Sequence, residues 1–286
     1  MKSKIPLTIG DIRDIRQLLA ENPSWHRTKI SRELCELWNW RNAKGQLKDM
    51  ACRTLLLKLE RAGHFVLPAR RREAANNSRG KVPAIVKHIT DTISCDFKSI
   101  AKVKIVTVQP RSENHTLFTY LLGQYHYLGH RTTVGENMQY LISDSSNRPL
   151  SCVLFGSAAW KTTSRDTFIG WDYKVREKNV NLITNNTRFL ILPWVKVPHL
   201  ASHILGKIAH RINEDWINKY GHPVYLLETF VDRSRFKGTC YRAANWICTG
   251  QTTGRTRNDR HRTIQTPIKD VYVYPLHKNF RQKLIS

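Results

Sequence analysis

The stretch from Asn185 to Arg257 constrains the fold more than any other part of the chain. Arg188 to Val197 is an apolar run interrupted only by Pro193 and Lys196. A long helix follows from Leu200, then a second apolar strand at Tyr225–Val231, a short helix around Tyr241 and a third strand, ending in a basic tail. Strands alternating with helices in this way predict an α/β (α+β) domain. Proline cannot donate to a strand ladder, so Pro193 predicts a bulge in the first strand.

Upstream, residues 1–68 read as a separate unit. Ile9, Ile12, Ile15, Leu18 and Leu19 recur at helical spacing, and Asn22-Pro23 stops that helix. Thr28 is the expected cap of a second helix with Ile30, Leu34, Leu37 and Trp38 inward. A third runs from Leu47 to Ala62 with Leu47, Ala51, Leu55 and Leu59 inward, and Gly63 closes it. His64–Leu67 is then a short strand ended by Pro68. Three helices and a strand predict a winged helix-turn-helix, with Lys48, Asp49 and Arg53 near the start of the groove-facing helix; a small helical bundle that braces the rest of the chain is the alternative. Residues 69–84 form a basic linker with Arg70, Arg71 and Arg72, a candidate phosphate-contacting arm. Residues 85–286 make up the second domain. Within it the pattern predicts a strand at 102–108, a helix capped by Asn114, strands at Met138–Ser143 and Leu150–Ala158, and another at Thr167–Asp172.

Charge narrows the partners. The 286 residues hold 47 Lys and Arg against 22 Asp and Glu, a formal net charge of +25. Self-repulsion of that size opposes compaction, and a polyanionic partner relieves it. Nucleic acid comes first, because phosphates release counterions to Lys and Arg. An anionic membrane would call for a basic amphipathic helix with an aromatic face, and none stands out. No apolar run is long enough to span a bilayer, and the charged first residues do not suit a signal peptide, so a cytoplasmic protein is expected. The six cysteines form no CxxC pair and read as free buried thiols.

Two resemblances add to this reading. From Asn114 to Ile285, and more loosely before that, the chain closely resembles the DruA family of the bacterial Druantia anti-phage defence system, relatives of which also sit with transposase genes. The strand–helix order from Asn185 resembles the C-terminal half of an acetyltransferase-like (GNAT) fold, which implies a mixed sheet. The first implies a DNA-binding role in defence beside a helicase, or, in the other gene setting, a transposon accessory protein. The second implies a phosphate-binding turn at Lys196-Val-Pro198-His199-Leu-Ala201, where that superfamily carries Gln/Arg-x-x-Gly-x-Gly/Ala. His199 replaces the first glycine and Pro198 removes an N–H, so acetyl-coenzyme A is not expected as a cofactor. Tyr241-Arg-Ala-Ala-Asn-Trp246 resembles the superfamily's Tyr-x-x-x-Gly-Phe, which would make Tyr241 a general acid.

The candidate site follows from these pieces. Tyr241, Glu228 and Asp232 are the catalytic candidates. Glu228 could act as a base, or with Asp232 and Asp172 hold Mg²⁺ in a nuclease; its structural alternative is a pair with a basic residue such as Arg188. No metal site is assigned. Candidate nucleic-acid contacts are Lys48, Arg53, Arg70–Arg72, Arg188, Lys196, His199, Arg233, Arg235, Arg242, Arg255 and Arg257, with Trp246 as a base-stacking aromatic.

Overall fold

A computed structural model describes residues 9–42, 45–69, 85–100, 102–254 and 266–286. The chain divides into two compact units, Met1–Val82 and Pro83–Ser286. Arg70–Arg72, Arg255, Arg257, Arg260 and Arg262 lie outside the described residues.

The first unit holds three helices, α1 (Ile9–Glu21), α2 (Arg27–Leu37) and α3 (Asp49–Arg61). Their apolar stripes meet in a core of Ile15, Ile30, Leu34, Cys35, Cys52, Leu56 and Leu59, closed by Leu67. The inward face of α3 is therefore Cys52, Leu56 and Leu59; Ala51 is exposed and Leu55 half-buried. Leu59 faces inward as expected, whereas one and two turns earlier the face is rotated by one residue, so that Cys52 and Leu56 take the places expected of Ala51 and Leu55. His26, not Thr28, caps α2, its Nδ1 accepting from Lys29 N at 3.2 Å. Gly63 stands just past α3 with φ 80°, as expected. His64–Leu67 forms no strand. Its backbone is held by side chains instead: Glu60 accepts from Leu67 N at 2.9 Å, and Arg16 donates to His64 O at 2.8 Å. The helices of the expected motif are present, and its wing strand is not formed.

In the second unit the seven-stranded sheet comprises β2 (Lys104–Thr107), β3 (Met138–Ser143), β4 (Pro149–Ser157), β5 (Ile183–Ile191), β7 (Leu226–Asp232), β8 (Ile247–Gln251) and β9 (Lys269–Pro275). Their spatial order is β2-β3-β4-β5-β7-β9-β8. All neighbours are antiparallel except β5 and β7, so the sheet is mixed, as expected. A separate parallel pair joins β1 (Ile93–Ser94) to β6 (Val195–Lys196). The helices are α4 (Glu113–Tyr125), α5 (Thr163–Ile169), α6 (Tyr173–Asn179), α7 (Leu200–Ala209), α8 (Ile212–Tyr220), α9 (Thr239–Ala243) and α10 (Phe280–Ile285).

One large core packs α4, α7 and α8 against the sheet around Phe118, Tyr140, Phe155 and Trp216, all buried. Burying a side chain such as Phe118 is worth about 1.5–3 kcal/mol. A second cluster, with Ile169, Trp171, Leu226, Val273 and Phe280, lies under α5, α6 and α10. Ser112 rather than Asn114 caps α4, its Oγ accepting from His115 N at 3.1 Å. Thr167–Asp172 is not a strand: Thr167–Ile169 close α5, and Asp172 caps α6 by accepting from Val175 N at 2.8 Å.

The single long helix expected after Leu200 is broken at His210–Arg211. Arg211 turns aside to donate to Ile105 O at 2.8 Å and to Asp215 at 2.7 Å, and Asp215 also accepts from Tyr140 Oη at 2.8 Å. This polar knot fastens the second helix to the sheet. Of the cysteines, Cys35, Cys52 and Cys152 are buried free thiols, whereas Cys248 is exposed.

Candidate functional site

The ladder between β5 and β7 lasts three residue pairs, Ile183–Asn185 against Leu226–Glu228. Beyond them the strands part, and a cavity of about 540 Å³ opens in the gap. Its lining includes Asn186, Phe189, Thr229, Asp232, Lys237 and Tyr241. The parting has a local cause. The register of β4 against β5 shifts where Leu154 faces Arg188 and Phe155 faces Asn186, leaving Thr187 as the extra residue of a bulge. Asn186 plugs that bulge: its Nδ2 donates to Leu154 O at 3.1 Å and to Arg188 O at 3.0 Å. The bulge thus sits at Thr187 and not at Pro193, which instead ends the strand in a turn ahead of β6.

Tyr241 forms the cavity's inner wall. It is 8% exposed and donates from Oη to Asn186 Oδ1 at 2.7 Å. Burial pushes its hydroxyl up. Thr229 Oγ donates to the Asn186 backbone carbonyl at 3.0 Å, so Asn186 ties β4 and α9 through its side chain and β7 through its backbone. Trp246, expected as an exposed stacking aromatic, is 4% exposed and packs on Tyr241 and Tyr274. The register of α9 turns it inward, and it offers no face to a base.

Glu228 lies outside the cavity lining and is fully buried. Its Oε2 accepts from Arg165 Nη1 at 2.7 Å and its Oε1 from Ala159 N at 2.6 Å. Arg165 also donates to Asp166 Oδ1, and Arg176 pairs with Asp166 at 3.1 Å. The result is a buried chain of alternating charge, Glu228–Arg165–Asp166–Arg176. Burial pushes the Glu228 carboxyl up and the Arg165 charge opposes this; the two acids hold Arg165 protonated. The pairing reading of Glu228 is correct, but its partner is Arg165. Arg188 instead donates to Gly129 O at 3.0 Å and Thr187 O at 2.7 Å.

Asp232 accepts from Ser234 Oγ at 2.7 Å and Ser234 N at 3.0 Å, bonds that hold its carboxyl below the usual range. Asp172 is spent on the α6 cap. The three carboxylates of the nuclease alternative are therefore separately engaged. Among the described residues no group of three or more His, Cys, Asp or Glu is placed to hold a metal ion.

At the mouth, the loop after β7 exposes Arg233, Arg235, Phe236 and Lys237, and Arg242 follows on α9. Arg233 lies 3.6 Å from Asp270, and Arg242 donates to Tyr272 Oη at 3.3 Å. Arg235 stacks over Tyr127 at 5.1 Å. His126, beside Tyr127, is pushed down to about 4 by burial and by Arg188. Lys196 and His199 are exposed, and His199 caps α7 with φ 63°. In the first unit, Arg53 is half-buried, pairs with Asp49 at 2.7 Å and lines a small hollow with Arg27 and Leu67. It is tied to its own helix rather than presented outward; Lys48 stands at the N-cap position of α3 without a side-chain cap bond.

Sequence reasoning missed Asn186, Arg165, Tyr127 and Phe236. The aromatic run Tyr125-His126-Tyr127 and the pattern Arg235-Phe236-Lys237 carried the signal for the last two. Nothing local marked Asn186 or Arg165.

Solved structures with some likeness include acetyltransferases. A Vibrio cholerae spermidine N-acetyltransferase in complex with CoA and spermine is 8% identical over 64% of this chain and 98% of its own, at TM-score 0.38. A chimera of the Vibrio cholerae enzyme with hSSAT is 6% identical over 65% and 99%, also at 0.38. At such scores the fold class rests on the sheet order itself. No curated protein matches the sequence. Among the described residues no helix is long and apolar enough to cross a membrane. Residues 58–269 match the family described as Druantia protein DruA, a span that takes in α3's last turn and the strands of the mixed sheet as far as the first residue of β9, and the chain belongs to that family.

Proposed function

We propose that this chain is a nucleic-acid-binding component of a bacterial anti-phage defence system, recognising DNA or presenting it to a partner helicase. The observation that carries this reading is the segment 233–242, RSRFKGTCYR, which exposes Arg233, Arg235, Lys237 and Arg242 beside the cavity and contains no acid. Cations set on one loop suit a phosphate backbone. Family membership supports the defence setting, and the +25 charge supports the polyanion.

An acyltransferase reading is weaker on the chain's own chemistry. Acyl-coenzyme A would need backbone N–H groups at the start of α7 for its pyrophosphate. Pro198 lacks one, and His199 places a side chain at a left-handed position where glycine would leave room. In this reading the cavity works without coenzyme A, and Tyr241 shapes it. A metal-dependent nuclease would need carboxylates that are not already engaged. A transposon accessory role would use the same DNA-binding surface.

The test is the salt dependence of DNA binding. Affinity should fall by roughly 10³-fold or more between 50 and 200 mM salt if about six or more phosphates are engaged. A flat response in an anisotropy titration would end the reading.

A further inference from the structure

Phe236 is half exposed, 50%, in a loop that is otherwise tightly fixed. Its N–H donates to Asp232 O at 2.9 Å, Arg235 N does the same at 3.1 Å, and the Asp232 carboxylate is turned into the loop onto Ser234. Gly238, at φ 67°, closes the loop. The ring packs against Tyr127 at 5.4 Å and 58°, and Tyr127 is itself backed by His126 at 4.8 Å and Arg235 at 5.1 Å. Half of the ring stays open at the rim of the cavity it helps to line, while the backbone bonds and the contact with Tyr127 fix its place.

We infer that Phe236 is the stacking platform for an unpaired base of single-stranded DNA, with Arg235 and Lys237 placed for the phosphates on either side of it. This rests on the nucleic-acid reading above and names its substrate class. The flanking cations single out the occupant: an aromatic face set between cations, with no acid from 233 to 242, matches a π-faced base on an anionic backbone. The cavity beside it is within the size range of pockets for small organic ligands, which covers one nucleotide. In a duplex the base faces are covered by their neighbours, so this platform serves only unpaired strands.

The experiment uses the full chain with short single-stranded and duplex DNA carrying 2-aminopurine. Stacking on Phe236 should quench the 2-aminopurine in the single strand when wild-type protein binds. Phe236→Ala should weaken single-strand binding by roughly 5- to 150-fold, the range for losing one stacked base, and leave duplex affinity and melting temperature unchanged. Phe236→Trp should retain single-strand binding. Equal loss for both forms of DNA, an unchanged single-strand affinity, or binding without quenching would each overturn the platform. A protein that binds no DNA at all fails the nucleic-acid reading itself, a result distinct from the other three.

Discussion

Glu228 shows how a residue's chemistry is decided by what it meets. A carboxylate with no exposed surface is costly unless charge and hydrogen bonds surround it, and Arg165 with Ala159 N supplies both. Removing one partner of such a pair strands the other. Glu228→Ala should therefore cost about 3–5 kcal/mol, measured by urea unfolding, because Arg165 keeps its buried charge beside Asp166 alone. A loss below about 1 kcal/mol would show that water reaches Arg165 instead. That Glu228 needed a basic partner was legible from its place in an apolar strand. Which arginine was not: Arg165 lies 63 positions upstream, and no local period records contacts made across a sheet. Trp246 failed for a related reason. Composition places an aromatic among cations, but only the turn of a five-residue helix decides whether its ring faces in or out.

Elements fared unevenly for physical reasons. β3, β4 and β7 were legible because burial on both faces leaves mainly apolar runs, interrupted by Gln139 in β3 and by Glu228 and Thr229 in β7. Thr167–Asp172 read as a strand through its aromatic and β-branched residues, yet α5 wins because Arg165 and Asp166 must sit on one helical turn to meet Glu228 and Arg176. β9 was passed over, although Val271, Tyr272 and Val273 are buried at the centre of one half of the sheet. The cavity's site was half legible: the basic loop was visible, whereas the parting of β5 from β7 depends on a bulge that only pairing reveals. The loop between β7 and α9 gives the test at this scale. A Cβ on Gly238 would come within 2.7 Å of Tyr272 Oη, and the φ of 67° disfavours any side chain. Gly238→Ala should destabilise by about 1–3 kcal/mol in chemical denaturation and loosen the loop that carries Phe236. An unchanged midpoint would mean that Tyr272 swings away at no cost.

For the molecule as a whole, the net charge of +25 sets two responses to salt of opposite sign. Screening weakens attraction to DNA but also weakens self-repulsion, with a Debye length of about 10 Å at 0.1 M. The unbound protein should melt at a higher temperature as sodium chloride rises from 50 to 300 mM, read by differential scanning fluorimetry, over the range in which DNA affinity falls. A melting temperature that falls with salt would show that favourable ion pairs outweigh the repulsion. The order of the strands also carries a message about how the chain comes into being. β9 lies between β7 and β8 in the sheet but follows both in the chain. As synthesis proceeds, β7 and β8 are made first and have no partner on their facing edges until residues 269–275 emerge. β9 must then slot between two strands already present, a long-range pairing of the kind that slows folding. The wall of the cavity that carries Tyr241 hangs between those same two strands. A ribosome-bound nascent chain stopped short of β9 thus lacks the strand that joins β7 to β8, and the cavity wall cannot settle until residues 269–275 have emerged.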